Sequence, residues 1–264
     1  MTTERLWRPP AGALPPATDF AVTTRRGGAS AGPFATLNVG LVPGEREEAV
    51  AENRRRVRAD FGAGEREPFR VHQVHGDRIV PARSAGDAPG LRADGLLLDG
   101  PRRDATTPGD ARIPCVAVSV ADCAPVAIVA EGAPLAALLH CGWRGTVAGI
   151  VPRAVSLLEA RGARARALRA VVGPCIHPCC YPVGPDVAAR FPTIHLVPHA
   201  SGRHALDLPG AIVATLRAAG VPASRITVAG ECTSCRSDLF FSHRRDRGVT
   251  GRHWALLRLG RAPA

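Results

Sequence analysis

The strongest constraint on the fold is an alternation of short β-rich runs with amphipathic helical patterns along most of the chain. The apolar periodicity and β-branched content predict strands at Phe20 to Thr24, Phe69 to Val74, Val116 to Val120, Val126 to Val129, Leu135 to His140, Leu168 to Val172, Arg225 to Val228 and His253 to Leu259. Helices are predicted at Glu45 to Phe61, Thr146 to about Ala160 and Leu208 to Ala219. This alternation favours an α/β sandwich built on a mixed sheet.

Chain length and hydropathy set the number of domains. The 264 residues are 45% hydrophobic, and the mean hydropathy is +0.01. A chain of this size and polarity has enough apolar surface for one substantial core, so a single domain is predicted. The segment from Pro101 to Ile113 is rich in polar residues and is predicted to be an exposed loop.

The positive charge is carried by arginine alone. The formal net charge is +11, and all 34 basic residues are arginine. Without lysine, neither a P-loop nor Schiff-base chemistry is available. The arginines are scattered with little aromatic interleaving, so no nucleic-acid partner is expected, and the clusters Arg54 to Arg56 and Arg244 to Arg245 are predicted to be solvated faces.

Targeting signals are missing from the sequence. The first residues, MTTERLWRPP, lack the apolar core of a secretion signal, and no later run is long enough to span a membrane. A cytoplasmic protein without a membrane partner is therefore expected. In that reducing setting the eight cysteines are not expected to form a disulfide framework, and cysteines near histidines suggest a metal site.

Three metal-binding residue types stand at the ends of predicted strands. His75 follows one strand, Cys123 lies between two apolar runs, and His140 ends a third strand. Together they would form a three-ligand zinc site whose fourth position stays open to water or substrate, which is typical of catalytic zinc. Spacings of 48 and 17 residues match no local metal motif. Alternatively, His140 is an ordinary core histidine, and Gly142 and Gly145 only make a turn.

A series of motifs carries a resemblance to a known family. TTRRGGASAGPFATLNVG, QVHG, ADG, VADCAPV, HCGWRGTVAGI, VVGPCIHPCCYPVG, ECT and LFFSHRRDRGVTGRHWALLRL occur in this order. This pattern resembles the YfiH-like laccase-domain family, also called the peptidoglycan editing factor family, over about residues 18 to 259. The resemblance implies an α/β/β/α sandwich at residues 18–264, preceded by a flexible segment at 1–17. It also implies zinc held by His75, Cys123 and His140.

The resemblance suggests three functions from different classes. The leading one is a zinc-dependent purine nucleoside phosphorylase with adenosine deaminase side activity, acting on a purine nucleoside and phosphate as a monomer or homodimer. The others are a hydrolase that edits peptidoglycan precursors and a non-catalytic zinc protein. Copper is less expected than zinc, because a multicopper oxidase needs H-x-H pairs and the chain has none.

Substrate-binding candidates follow from charge and position in the matching motifs. Arg25, Asn38 and Arg144 are the candidates for holding phosphate or ribose. His72 is expected to be a strand residue rather than a partner of the metal site, and Trp143 a packing residue rather than a substrate platform.

Several positions depart from the family pattern. Cys141 stands where the family usually has alanine, and the family's Tyr-Glu-Val-Gly has Pro182 in place of glutamate. That change puts an acid-base or ribose-binding role at this position in doubt. Cys232 and Cys235 form a C-x-x-C, and Cys175, Cys179 and Cys180 are close in sequence. A second, structural zinc is one interpretation, and buried packing of these thiols is the preferred alternative.

Overall fold

The structure, a computed structural model, describes residues 4–82, 87–100 and 115–260. Its strands are β1 (Leu6–Trp7), β2 (Thr18–Thr23), β3 (Arg70–His72), β4 (Ile79–Pro81), β5 (Asp87–Arg92), β6 (Gly95–Asp99), β7 (Val116–Val120), β8 (Ala124–Ala130), β9 (Leu135–Cys141), β10 (Leu168–Val172), β11 (Pro182–Val183), β12 (Leu196–Pro198), β13 (His204–Leu206), β14 (Ile226–Val228) and β15 (His253–Leu259). Its α-helices are α1 (Glu47–Phe61), α2 (Trp143–Ala148), α3 (Ile150–Glu159), α4 (Pro185–Ala188) and α5 (Leu208–Ala218).

Two sheets form the centre of the molecule. A six-stranded sheet has the order β14-β10-β8-β9-β6-β4 and is mixed, because its two outer pairs are parallel and its inner pairs antiparallel. A four-stranded antiparallel sheet has the order β1-β2-β15-β7. A small three-stranded sheet, β11-β13-β12, and the parallel pair β3-β5 complete the described strands.

The core is divided into layers by side-chain alternation along the strands. One face of the six-stranded sheet packs against α3 and α5 through residues such as Leu139, Val155 and Ile212. Its other face packs against the four-stranded sheet through residues such as Leu138 and Leu257. The outer face of that second sheet is covered by α1 through Val57 and Phe61. The expected single-domain α/β/β/α sandwich is therefore confirmed.

The second predicted helix differs in the structure. In place of one helix from Thr146 to about Ala160, α2 begins at Trp143 and ends before Gly149, and α3 follows directly. Gly149 has φ of +89°, a left-handed conformation that ends a helix and that glycine adopts without steric cost. The prediction of one continuous helix was therefore wrong.

Two further differences concern strands. No strand was predicted at β6, yet β6 is a central strand of the six-stranded sheet and four of its five residues are buried. Strand β1 lies inside the N-terminal segment that was expected to be flexible, where Leu6 and Trp7 pair with Thr23 and Val22. This part of the segment is thus joined to the four-stranded sheet.

Two other expectations concern the predicted loop and the lack of a membrane-spanning helix. The loop predicted at Pro101 to Ile113 lies outside the described residues. Among the helices that the structure describes, none combines the length and the apolar character needed to cross a membrane.

Candidate metal centre

The antiparallel hairpin β8-β9 brings Cys123 and His140 to the same end of the six-stranded sheet. Its register pairs Pro125 with His140 and Ala124 with Cys141, so Cys123, just before β8, lies beside the end of β9. The preceding Asp122 has φ of +85°, an uncommon conformation for a residue with a side chain. The turn before β8 is therefore specialised to deliver Cys123.

His75 is delivered by a turn between β3 and β4 that is fixed by Asp94. The fully buried Asp94 carboxylate accepts hydrogen bonds from the backbone N–H groups of Val74 (3.1 Å), His75 (2.8 Å) and Gly76 (2.7 Å). His75 itself has φ of +60°. A left-handed conformation at a non-glycine residue persists where the surroundings hold it, and here Asp94 does so.

Asp94 also holds His140. The two residues are cross-strand neighbours, since the backbone N–H of His140 donates to the Asp94 carbonyl at 2.8 Å. The His140 ring places Nδ1 2.8 Å from Oδ1 of the Asp94 carboxylate. This bond leaves Nε2 as the nitrogen available to a metal, as in the carboxylate–histidine–metal arrangement of many metalloenzymes.

The three predicted ligands come together. The ligand atoms of His75, Cys123 and His140 all lie within 4.8 Å of one another, and the two imidazole rings meet edge to face with centroids 4.8 Å apart. His140 is buried, Cys123 half-buried and His75 exposed, so the group opens to solvent on the His75 side. We call this group the His-Cys-His centre. One thiolate and two imidazoles fit Zn²⁺, and three ligands leave one coordination position open.

Two glycines permit the close approach of the elements around the centre. A Cβ atom on Gly142 would lie 2.9 Å from Cys123 Sγ and 3.5 Å from His75 Cδ2. One on Gly145 would lie 2.8 Å from the Gly76 carbonyl oxygen. These glycines therefore do more than make a turn, because any side chain there would collide with the centre or with the His75 turn.

The charges of the centre favour the ligand form of the thiol. Burial alone raises the pKa of Cys123, but the neighbouring His140 and His75 outweigh burial and lower it below its ordinary value. Burial lowers the pKa of His140, but the Cys123 and Asp94 charges outweigh it and raise the pKa. These interactions favour the thiolate, which is the form of cysteine that binds a metal, and a divalent cation at the centre would replace the positive charge that His140 supplies.

Neighbouring residues on β9 face opposite sides of the sheet, as alternation predicts. Cys141 belongs to the apolar core beneath α3 and α5, while His140 faces the centre. Burial raises the pKa of the Cys141 thiol far above its ordinary value. Cys141 is thus a packing residue, although it is adjacent to a candidate ligand.

A tyrosine and two arginines stand beside the centre. Burial, reinforced by the charge of Cys123, raises the pKa of Tyr181 to about 12, while Arg244 and Arg144 oppose this increase. The Arg244 guanidinium lies 4.8 Å from the Tyr181 ring centroid, and its backbone N–H donates to the Asp122 carboxylate at 2.7 Å. The exposed Arg144 lies 4.3 Å from the ring centroid of Trp143, which packs against the core as expected.

The other two substrate candidates are engaged within the protein. Arg25 donates from Nε to the Ala35 carbonyl (2.8 Å) and from Nη1 to the Ser237 carbonyl (3.1 Å). Asn38 is fully buried; its amide nitrogen donates to the Gly40 carbonyl and to Glu45, and its amide oxygen accepts from the backbone N–H groups of Gly40 and Arg252. In this conformation Asn38 has no exposed amide for a substrate, and both residues organise loops.

The arginine clusters differ from the predicted solvated faces. The Arg245 guanidinium donates to the carbonyls of Thr233 (3.0 Å), Ser234 (3.2 Å) and Phe240 (3.0 Å), which fixes a loop. Arg54 donates from Nε to the Val39 carbonyl at 2.9 Å. The interpretation was therefore wrong for Arg54 and Arg245, because a guanidinium also satisfies loop carbonyls, whereas Arg55 and Arg244 are exposed, as expected. His72, by contrast, is an exposed residue of β3, as expected.

Sequence reasoning missed Asp94, Tyr181 and Arg244. The signal for Asp94 was present, since ADG was among the motifs and an aspartate directly before a buried strand is a position for a site residue. Tyr181 was noted only beside the Pro182 departure. In the structure, the Pro182 carbonyl accepts a hydrogen bond from Arg244 at 2.5 Å, so this backbone group helps to hold Arg244 beside Tyr181.

Known proteins resemble the chain over nearly its whole length. The purine nucleoside phosphorylase YlmD of Geobacillus stearothermophilus is 40% identical over 247 residues, covering 89% of this chain and 88% of that protein. A purine nucleoside phosphorylase of Deinococcus radiodurans is 40% identical over 248 residues, covering 93% and 90%. The crystal structure of YlmD from Geobacillus stearothermophilus superposes with a TM-score of 0.84 at 36% identity, covering 97% of this chain and 96% of that one.

A more distant relative has a different name. Adenosine deaminase RL5, from an unknown prokaryotic organism, is 36% identical over 137 residues, about half of each chain. The profile of the family described as multi-copper polyphenol oxidoreductase laccase matches residues 19–260. The chain therefore belongs to this laccase-domain family, whose YlmD and YfiH members share its fold.

Proposed function

We propose that the protein is a zinc-dependent purine nucleoside phosphorylase with adenosine deaminase as a second activity. The observation that carries the proposal is the His-Cys-His centre, in which three ligand atoms within 4.8 Å of one another leave one position open. The names of the full-length relatives supply the substrate class. The second activity is proposed because adenosine deaminase RL5 is similar to about half of the chain.

The proposed reaction makes two demands on the site. In phosphorolysis a phosphate oxygen bonds to C1′ of the ribose while the bond from C1′ to the purine breaks, and the purine leaves with the electron pair and takes up a proton. The protein must therefore hold a phosphate dianion beside the sugar and relieve charge on the departing base. Zinc bound at the centre would supply Lewis-acid chemistry to an oxygen of substrate or water.

Arg144 is our candidate for phosphate. Its guanidinium is exposed and lies on the Tyr181 side of the centre, as does Arg244. A guanidinium offers planar, paired donors that match phosphate oxygens. Arg25 and Asn38 were also proposed from the sequence, and we now give them a supporting role, because their polar groups already bind the protein.

Zinc is favoured over multicopper chemistry by the small number of metal-competent histidines among the described residues. A thiolate with two imidazoles suits zinc, whereas a multicopper oxidase needs several metal sites rich in histidine. Apart from His75 and His140, no histidine belongs to a metal-competent group among the residues that the structure describes. The copper in the family description is therefore not carried over to this chain.

The decisive experiment is a nucleoside panel with and without phosphate, run on protein whose metal content is known. We expect free base from adenosine or inosine only when phosphate is present, and inosine from adenosine in either case. Zinc-loaded protein that releases no base would contradict the phosphorylase. Turnover of a peptidoglycan precursor without phosphate would favour an editing hydrolase, and turnover of neither substrate would leave a non-catalytic zinc protein.

Arg144→Ala tests the phosphate role. We expect a higher KM for phosphate with unchanged zinc content, because the exposed guanidinium supports no described hydrogen bond of the fold. Arg166→Ala is the matched control, since Arg166 is also an exposed arginine but belongs to a surface turn before β10. Equal phosphate kinetics in the two variants would remove Arg144 from the site.

A further inference from the structure

A second group of metal-competent side chains lies outside the His-Cys-His centre. Cys179, Cys180, Cys232 and Cys235 bring their sulfur atoms within 4.8 Å of one another. We call these four residues the thiol cluster. They come from the loops that follow β10 and β14, two neighbouring parallel strands of the six-stranded sheet. An isolated β-bridge between Cys175 and Cys232 holds the two loops together.

The spacing of the sulfur atoms is that of a metal-centred tetrahedron. Cys235 Sγ lies 3.5 Å from Cys179 Sγ and 3.4 Å from Cys180 Sγ. A tetrahedral zinc ion with bonds of about 2.3 Å places its sulfurs about 3.8 Å apart. A disulfide requires about 2.05 Å between the two sulfurs, so these contacts are too long for one. Both contacts are about 0.3–0.4 Å shorter than in that tetrahedron, so a bound ion requires a small outward movement of these side chains.

Backbone donors surround one of the sulfurs. The N–H of His177 donates to Cys232 Sγ at 3.4 Å, and the N–H groups of Ser234 and Cys235 donate to the same sulfur. The C-x-x-C turn thus folds its own backbone around its first cysteine. Hydrogen bonds to a ligand atom orient it and favour its charged form, and such bonds are a regular part of metal sites.

Packing does not explain these cysteines. Cys141 and Cys175 are buried in the core beneath α3 and α5, where a thiol behaves as a small apolar group. Cys179 and Cys235, in contrast, are exposed, and Cys180 is half-buried. The preferred interpretation from the sequence, buried packing, therefore fits Cys175 and the buried Cys232, but it does not account for Cys179, Cys180 and Cys235.

We propose that Cys179, Cys180, Cys232 and Cys235 bind one zinc ion in a closed structural site. Four protein ligands complete the tetrahedron, so no position is left for water or substrate. Binding converts thiols to thiolates and releases their protons to the solvent, with no change of oxidation state. This site is separate from the proposed function, and it raises the expected zinc content from one to two per chain.

The position of the thiol cluster gives the proposed zinc a role. Thr233, inside the C-x-x-C turn, donates from its hydroxyl to the Asp122 carboxylate at 2.6 Å. Ile176, in the other loop, donates from its N–H to the Asp122 carbonyl at 2.9 Å. Asp122 directly precedes Cys123, so a metal that orders both loops also supports the turn that delivers Cys123.

Metal analysis of three variants tests the proposal. We expect two zinc ions per chain in the wild type, one in the double variant Cys179→Ser with Cys235→Ser, and one in His140→Ala. The two serines replace exposed thiols, so the core is untouched. Cys115→Ala is the matched control and should retain two, because Cys115 lies outside both groups. One zinc in the wild type, unchanged in the double variant, would overturn the proposal, as would iron at this site.

Cobalt(II) substitution gives a second measurement, which reports the number of thiolate ligands directly. Thiolate-to-cobalt charge transfer absorbs strongly in the near ultraviolet, and its intensity rises with the number of thiolate ligands. We expect His140→Ala to keep most of this absorption and the double serine variant to lose most of it. The reverse result would contradict the proposal. Intact mass without reductant provides the remaining check, because a mass lower by two hydrogens per bridge would show disulfides in place of zinc.

Discussion

The His-Cys-His centre and the thiol cluster are built on opposite principles. The centre takes its ligands from the ends of strands and an adjoining turn, spread from residue 75 to residue 140, and a buried carboxylate holds two of them. The thiol cluster takes its ligands from two loops and has backbone N–H groups around only one sulfur. The centre has three candidate ligands and the cluster has four.

This difference shows how much of the order of each proposed site comes from the protein itself. Sheet hydrogen bonds and Asp94 position His75 and His140 through contacts within the protein, so protein contacts already organise the centre. The two loops of the cluster are joined by the β-bridge and by the bond from the His177 N–H to Cys232 Sγ, and a metal ion would add four bonds to these contacts. A ready, open site suits chemistry, and a closed site suits stability.

The largest expected effect follows from removing a ligand of the centre. His140→Ala should lower zinc affinity at the centre by more than 100-fold and abolish turnover, since only two ligands remain. Cys123→Ser should do nearly the same, because a serine hydroxyl remains protonated and binds zinc poorly. Zinc per folded chain and nucleoside turnover are the measurements.

The matched control for this prediction is Cys141→Ala. Cys141 neighbours His140 but faces the apolar core, so its replacement should preserve zinc and activity at a modest cost in stability. Full zinc retention by His140→Ala would show that His140 is only a core histidine. The centre would then not be a three-ligand metal site to compare with the thiol cluster.

A smaller effect is expected from the carboxylate that orients the centre. Asp94→Asn should weaken zinc binding by about 10- to 100-fold, because the amide cannot match the negative charge that His140 and three N–H groups now face. Competition with a chelator measures this affinity at each site. The thiol cluster should be unaffected.

Asp99→Asn serves as the control for Asp94. Asp99 is an exposed aspartate of β6, paired at 3.6 Å with Arg161. Its replacement should change the zinc affinity of neither the His-Cys-His centre nor the thiol cluster. Equal zinc affinity in the Asp94 and Asp99 variants would mean that the ligands of the centre need no carboxylate to hold them.

Gly142→Ala adds a methyl group beside the His-Cys-His centre and leaves the thiol cluster unchanged. The new Cβ would meet Cys123 Sγ at 2.9 Å, so sulfur or backbone must move, at a cost of about 1–3 kcal/mol in the free energy of unfolding. Chemical denaturation and zinc content measure the two consequences. Gly90→Ala is the control, because a Cβ there meets no atom within 4 Å. If the Gly142 variant has the same stability and zinc content as the control, residue 142 does not pack tightly against Cys123.

The last prediction concerns acid, which removes metal and also lowers the free energy of unfolding. Burial, aided by the charge of Arg25, lowers the pKa of His253 to about 3, against about 6.5 when unfolded. Between these values the unfolded chain binds one more proton, so the free energy of unfolding falls by about 1.4 kcal/mol per unit as the pH drops. His253→Gln should remove this slope and isolate the acid release of zinc.

His204→Gln is the control for the acid experiment, because His204 is exposed on β13. Unfolding free energies measured from pH 7 to pH 4 compare the variants. If the slope of the His253 variant equals that of the control, His253 is not the buried neutral group that we describe.

Much of the sandwich was predictable from local pattern, and the rest depended on contacts distant in sequence. Strands β7, β10 and β15 match their predicted bounds, because each is a run of apolar residues bounded by turns. Strand β6 was missed because its short apolar run, GLLLD, shows no alternation when it is buried on both faces. The helix break at Gly149 was missed because the apolar period continues across it.

The candidate site was predictable only in part. The ligand residues His75, Cys123 and His140 followed from strand ends and family resemblance, since no spacing rule joins them. The role of Asp94 depends on strand register, and the engagement of Asn38 depends on four hydrogen bonds to three residues that no local motif indicates. Likewise, 51 residues separate Cys180 from Cys232, and only the pairing of β10 with β14 brings the members of the thiol cluster together.

The three bonds from Asp94 to the turn at residues 74 to 76 all end on backbone N–H groups. These bonds therefore hold the turn without involving the side chain at position 75. A designer could exchange His75 for aspartate or cysteine and expect the new donor to arrive at the same place. The scaffold thus offers one exchangeable ligand beside two fixed ones, and with it a route to altered metal preference on an unchanged backbone.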